Sequence, residues 1–141
     1  MSRLLFWRKR RAVVPVVRFS GVIAAGSGLR RGISLEVVEP QLKKAFSIRS
    51  AKAVAIIINS PGGSPVQSAL IGQRLRDLAR KADVPVLAFC EDVAASGGYW
   101  LAASADEIYA NGASIIGSIG VVSAGFGFDR AIERLGIDRR V

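Results

Sequence analysis

Ala53-Val54-Ala55-Ile56-Ile57-Ile58 is apolar without a break, and it runs directly into Asn59-Ser60-Pro61-Gly62-Gly63-Ser64. An uninterrupted apolar run of this length is the pattern of a strand buried on both faces, the kind found in parallel sheets. Beyond the glycines, Pro65–Lys81 reads as a helix. Ala69, Leu70, Leu75, Leu78 and Ala79 line one side of it, while Arg74, Asp77 and Lys81 lie elsewhere. A second passage has the same order: Val84–Cys90 as a buried strand, Ala94-Ala95-Ser96-Gly97-Gly98-Tyr99 as a glycine-rich turn, and Ser96–Ser104 as a short helix. Strands that alternate with helices imply an α/β fold with largely parallel pairing.

The remaining elements follow the same alternation. Val13–Phe19 reads as a strand, with Pro15 suggesting an edge or a strand start. Gly21–Gly32 is a glycine-rich loop. Ser34–Phe46 reads as a helix with Ser34 as N-cap and an apolar stripe of Val37, Val38, Leu42 and Phe46; Pro40 is expected to kink or split it. A strand is expected at Glu107–Ala110, strand character broken by glycine at Ile115–Val122, and a short helix at Arg130–Leu135 stopped by Gly136. Ile137–Val141 looks like the entry into another strand, so the chain reads as a fragment or a shortened version of something longer. A length of 141 residues suits one domain, taken as 13–141 behind a basic arm at 1–12.

Composition removes several chemistries. There is no histidine, so a Ser-His-Asp triad, a His-ligated zinc site and a histidine base are impossible within the chain. The one cysteine, Cys90, allows no internal disulfide and no thiolate cluster. No metal or nucleotide motif is present, and no cofactor is expected. A hydrolase of this composition is left with serine and lysine, paired carboxylates, or backbone amides.

The net charge of +9 is unevenly spread. Arg3, Arg8, Lys9, Arg10, Arg11, Arg18, Arg30 and Arg31 precede the first acid, whereas residues 82–129 contain acids and no Lys or Arg. The basic start is either a solvated arm or a contact for an anionic membrane surface. Leu4-Leu5-Phe6-Trp7 is too short for a signal-peptide apolar region, and no run of about 18 apolar residues predicts a membrane span. The expected location is the cytoplasm, with peripheral contact at the inner membrane face as the alternative that the basic start leaves open. No aromatic-plus-basic motif points to nucleic acid.

The two glycine loops are the candidate site. In open α/β sheets, sites form outside the carboxyl ends of the strands. Glycines there let backbone N–H groups face a ligand, and helix starts add unpaired donors. Two such loops side by side can hold the oxyanion of an acyl-transfer transition state. Ser96, on a sharp strand-to-helix turn, can then present its hydroxyl to a bound carbonyl. The N–H of Gly97 and a donor from Gly62 or Gly63 would face the developing oxygen. The plain alternative is that Ser96 is only a helix cap.

Four motifs occur in order: Asn59-Ser60-Pro61-Gly62-Gly63; Asp92-Val93-Ala94-Ala95-Ser96-Gly97-Gly98-Tyr99; Ala105-Asp106-Glu107-Ile108-Tyr109-Ala110-Asn111; and Gly117-Ser118-Ile119-Gly120-Val121. Together they are similar to the signal peptide peptidase A family of serine peptidases, the S49 family. The resemblance runs from about Val13 to the last residue. It implies the Clp protease/crotonase-like fold of stacked ββα units, with its C-terminal part missing. It implies Ser96 as nucleophile, with the Pro61-Gly62-Gly63 loop and Gly97 as the oxyanion hole. It further implies peptide substrates such as cleaved signal peptides, and a homo-oligomer. The family's base is a lysine in a segment after the Gly-Ser-Ile-Gly-Val motif. The lysines here, Lys9, Lys43, Lys44, Lys52 and Lys81, all precede Ser96 and none matches it. Two other readings stay open: a crotonase-type acyl-CoA enzyme using Glu91 or Asp92, and a non-catalytic interaction subunit.

Overall fold

The computed structural model describes residues 12–25, 32–120, 125 and 127–137. The basic arm at 1–11 and the chain after Ile137 lie outside these residues, as does the end of the strand expected at Ile115–Val122. Among the described residues five strands and four helices follow one another: β1 Val16–Ser20, α1 Leu35–Phe46, β2 Val54–Ser60, α2 Pro65–Ala82, β3 Val86–Ala95, α3 Gly97–Ala103, β4 Glu107–Ala110, β5 Ile115–Gly117 and α4 Asp129–Arg134. Every pairing is parallel, in the order β1-β2-β3-β4. β3 is long enough to serve two neighbours on one edge, pairing Leu87–Cys90 with β4 and Val93–Ala95 with β5.

One face of the sheet forms the core. Val17 and Phe19 of β1, Ile56 and Ile58 of β2, and Ala88 and Cys90 of β3 lie in register and are buried. Val38 and Leu42 of α1, Ile71 and Leu75 of α2, and Leu101 of α3 belong to the same cluster. β2 is shielded from solvent along its length, although Ile57 and Asn59 on the uncovered face are half-buried rather than buried. β3 is not. Phe89 is 39% exposed and stacks on Tyr109 with ring centroids 5.0 Å apart, so the expectation that Val84–Cys90 is buried on both faces is corrected. The reason is that all three helices in the core cluster supply that one face.

The helices also correct the sequence reading in detail. α1 runs through Pro40 without being split. Glu36 and Pro40 are both exposed, so the Glu36 carbonyl that proline leaves without a helical donor faces water rather than the core. The buried stripe of α1 is Val38, Leu42 and Ala45, with Val37 turned outward. Ser34 makes no side-chain cap; Gln67 Oε1 on α2 instead accepts the Leu35 N–H at 2.9 Å. In α2 the inward face is Ser68, Ile71, Gly72, Leu75, Leu78 and Ala79, and Leu70 is exposed. The small Gly72 and Ser68 let α2 approach α3 closely. A Cβ on Gly72 would lie 2.5 Å from Ser104 Oγ, and one on Gly97 would lie 2.3 Å from Ser68 Oγ.

Candidate active site

β2 and β3 end side by side and deliver both glycine loops to one end of the sheet. The register slips between them: Ile58 faces Cys90, but Ser60 faces Ala94. The extra length on β3 is a bulge, a common device for re-aiming a strand beside a site. Asn59 Nδ2 donates to Asp92 Oδ2 across this bulge at 3.0 Å, tying the strand before one loop to the strand before the other.

The second loop holds Ser96 in an unusual backbone conformation, with φ 51° and ψ −118°. A non-glycine residue there costs about 1–3 kcal/mol and persists only where its surroundings impose it. The surroundings are visible. The Ser96 N–H donates to the carbonyl of Gly117 at 2.7 Å, and its own carbonyl accepts the first helical bond from Trp100 N–H at 3.0 Å. The hydroxyl caps nothing and bonds to no other described residue. Ser96 is therefore held by its backbone at both sides while its side chain is left free.

The first loop packs directly on this turn. A Cβ at Gly62 would lie 2.7 Å from the Ala95 carbonyl oxygen and 2.8 Å from Ser96 Cβ, so only glycine fits. At Gly63 (φ +144°) a Cβ would fall 2.0 Å from the backbone oxygen of Ile23. Ile23 stitches the loop in place: its N–H donates to the Gly62 carbonyl at 2.8 Å and its carbonyl accepts from Ser64 N–H at 2.7 Å. This residue, 1% exposed, was missed by reading Gly21–Gly32 simply as loop. The available signal was the short apolar run Val22-Ile23-Ala24 inside the glycines.

The donors divide unequally. The Gly62 N–H is taken by Ser60 Oγ at 3.1 Å, and the Ser96 N–H by Gly117. The N–H groups of Gly63 and Gly97 have no acceptor among the described residues. Both glycines, with Ser96, line a cavity of about 400 Å³ whose other walls are Pro65, Tyr99, Trp100, Ala103, Ser104, Ile119 and Gly120. Apart from the Ser104 and Tyr99 hydroxyls these side chains are apolar, so the cavity is largely apolar, with two unpaired amides and the Ser96 hydroxyl at one wall.

The charged groups stay away from it. Glu91 accepts from Arg18 at 2.6 Å and Asp92 from Asn59, so neither carboxylate lines the cavity as a crotonase-type base would. Lys43, Lys44, Lys52 and Lys81 all lie at the amino end of the sheet, opposite Ser96. Cys90 is buried in β3, and burial pushes its thiol up, away from reactivity. Among the described residues no group of His, Cys, Asp or Glu is placed to hold a metal ion.

Residues 78–141 match the Peptidase family S49 model. Protease 4 of Haemophilus influenzae is 36% identical over 124 residues, covering 88% of this chain and 20% of that protein. A protein named Na(+)/H(+) antiporter NhaA from Brucella melitensis biotype 1 is 54% identical over 145 residues, covering 100% of this chain and 20% of that protein. No helix among the described residues is long and apolar enough to cross a membrane. Among solved structures, a variant of a membrane-bound stomatin-specific protease with a bound substrate peptide superposes with a TM-score of 0.60 at 21% identity, over 80% of this chain and 48% of that one. The chain thus spans about a fifth of the length of the curated relatives it matches first. Its fold is the Clp protease/crotonase-like fold of those proteases, and over residues 78–141 the chain is similar to peptidase family S49.

Proposed function

We propose that these residues are the nucleophile half of a serine endopeptidase of the signal-peptide-peptidase type, working by a Ser-Lys dyad. The observation that carries this reading is Ser96. Its backbone is strained and its hydroxyl unbonded, at the mouth of an apolar cavity beside two unpaired N–H groups.

In this reading the scissile carbonyl lies with its oxygen toward the N–H groups of Gly63 and Gly97. Ser96 Oγ bonds to the carbonyl carbon, its proton passes to a neutral lysine amine, and the carbonyl π electrons move onto the oxygen. Two backbone donors hold that charge, a term worth about 3 kcal/mol per donor. Collapse expels the amine leaving group, which takes the proton from the lysine and leaves an acyl ester on Ser96 for water to hydrolyse. Gly62 serves by letting its loop press against Ser96, while Ser60 Oγ holds that loop's turn. The lysine comes from residues outside the 141. The cavity takes an uncharged, apolar side chain of the substrate, which suits remnants of signal peptides. Assembly into a homo-oligomer and a cytoplasmic location belong to the same reading.

The test is labelling by a fluorophosphonate probe, for this chain and for the same chain continued through its reading frame. Labelling of the longer form at Ser96, abolished by Ser96→Ala, is the expected result. No labelling of either form would remove the nucleophile role and favour the non-catalytic reading.

A further inference from the structure

Because every strand is parallel, each helix-to-strand connection returns to the amino end of the sheet, about 20 Å from the Ser96 end along β2. That far end is basic. Lys43 and Lys44 occupy the last turn of α1, Arg49 and Lys52 the connection to β2, and Arg80 and Lys81 the last turn of α2. No acid occurs between Glu39 and Asp77. Lys43 is paired with Glu39 at 3.0 Å and Arg80 with Asp77. Lys44, Arg49, Lys52 and Lys81 are exposed and have no carboxylate partner among the described residues.

Apolar side chains are interleaved with these cations. A bridge between Val13 and Ala51 brings the start of the described chain to the same corner, with Lys52 N–H donating to the Val13 carbonyl at 3.0 Å. Val13, Val14 and Ile48 are 38%, 50% and 37% exposed there. Between the ends of α1 and α2 lies a hollow of about 400 Å³, lined by Lys43, Phe46, Ser47, Leu78 and Lys81 among others. The acids of this end, Asp83, Asp106 and Glu107, belong to the β3–β4 side, and Asp106 is held by Arg76 at 2.9 Å. So the α1–β2 corner is cationic with an apolar admixture.

We propose that this corner is a seat for an anionic phospholipid bilayer, holding the Ser96 end away from the surface. Cations near such a surface are attracted within a Debye length, and apolar side chains among them enter the interface. Among the described residues the corner presents no exposed aromatic ring on which a base could stack, Phe46 being half-buried, which favours lipid over nucleic acid. The inference is independent of any chemistry at Ser96.

The experiment is co-sedimentation of the full chain, at physiological salt, with vesicles of phosphatidylcholine alone or with one third phosphatidylglycerol. Two double variants of equal charge change are compared. Arg49→Gln with Lys52→Gln alters the corner; Arg130→Gln with Arg134→Gln alters exposed cations of α4 and its start. The chain is expected to bind the anionic vesicles only. The corner variant should bind about twentyfold more weakly, from about fivefold per cation, and the α4 variant within about twofold of the unaltered chain. Equal loss in both variants would mean diffuse attraction by net charge and would overturn the proposal. No loss in the corner variant would overturn it too, by placing the binding elsewhere in the chain. Binding of a uridine homopolymer, lost in the corner variant, with no binding to vesicles, would reassign the corner to nucleic acid.

Discussion

The half of the sheet under α1, α2 and α3 and the part that follows it, residues 107–137, are built on different terms. Val17, Phe19, Ile56, Ile58, Leu42, Ile71, Leu75 and Leu101 are all at most 3% exposed. In the later part all four residues of β4 are exposed, and α4 buries none of its residues. Ile115, Phe128, Leu135 and Ile137 are 57–73% exposed. Yet this later part supplies the Gly117 carbonyl that fixes Ser96 and the Ile119 and Gly120 walls of the cavity. It is joined to the core by strand pairing along β3, not by apolar burial. Stability therefore resides in the packed half, while the site draws on both: its glycine loops and Ser96 stand on the core, and the last support of Ser96 comes from the thinly packed segment, where local opening is cheaper.

Substitutions can break or sharpen this contrast. The largest effect is expected for Gly63→Ala, whose Cβ meets the Ile23 backbone in an already left-handed conformation. A loss of about 4 kcal/mol or more in urea unfolding, together with loss of probe labelling, is anticipated. Leu42→Ala should cost about 2–5 kcal/mol by cavity formation, against less than about 0.5 kcal/mol for Leu135→Ala. If the two cost the same, the contrast fails. Ser96→Gly should raise stability by about 1 kcal/mol through relief of its positive φ while removing the hydroxyl. A destabilised Ser96→Gly protein would mean that the turn is not strained. Amide exchange should show β2 and the first half of β3 opening only globally, and residues 107–117 and 129–134 exchanging faster.

The smallest effect is electrostatic. Arg74 grips Glu39 with Nε and Nη2 at 2.7–3.0 Å, and Lys43 adds a third contact, so the Glu39 carboxyl is held below its usual range. The Val86 N–H, and after it Arg76, does the same for Asp106. A carboxylate whose folded pKa is depressed adds stability above its ordinary pKa and loses it as pH falls through the lowered one. Stability should thus decline below about pH 4, and Glu39→Gln should flatten the decline. Both groups tie α1, α2 and the start of β3–β4 together, so this dependence reports on the packed half.

Much of this was legible in order and type. The apolar run at Ala53–Ile58, the glycine turns after it and after Val84–Cys90, and the long helix between them specified a parallel α/β unit with both glycine turns at the strand ends. The helix faces were harder. Val37 and Leu70 look like core residues by spacing, but α1 and α2 face each other as well as the sheet, and the buried positions shift to Ala45, Ser68 and Gly72. Ile23 was hidden for a similar reason: its role is to hydrogen-bond a loop forty residues away, which no local pattern records.

What the sequence determined by itself is chemical identity and local geometry. The absence of histidine excludes one class of triad, the alternation of strand and helix requires parallel pairing, and glycine at 62, 63 and 97 permits loops that other residues forbid. What only the tertiary structure decided is which of these groups remain free to act. Gly62 and Gly63 are adjacent and alike in the sequence. One N–H is taken by Ser60 Oγ and the other is left unpaired, because Ile23 and Ser96 close on the loop from opposite sides. Hydrogen-bond capacity is fixed by composition, but its consumption depends on which chains the fold brings within about 3 Å.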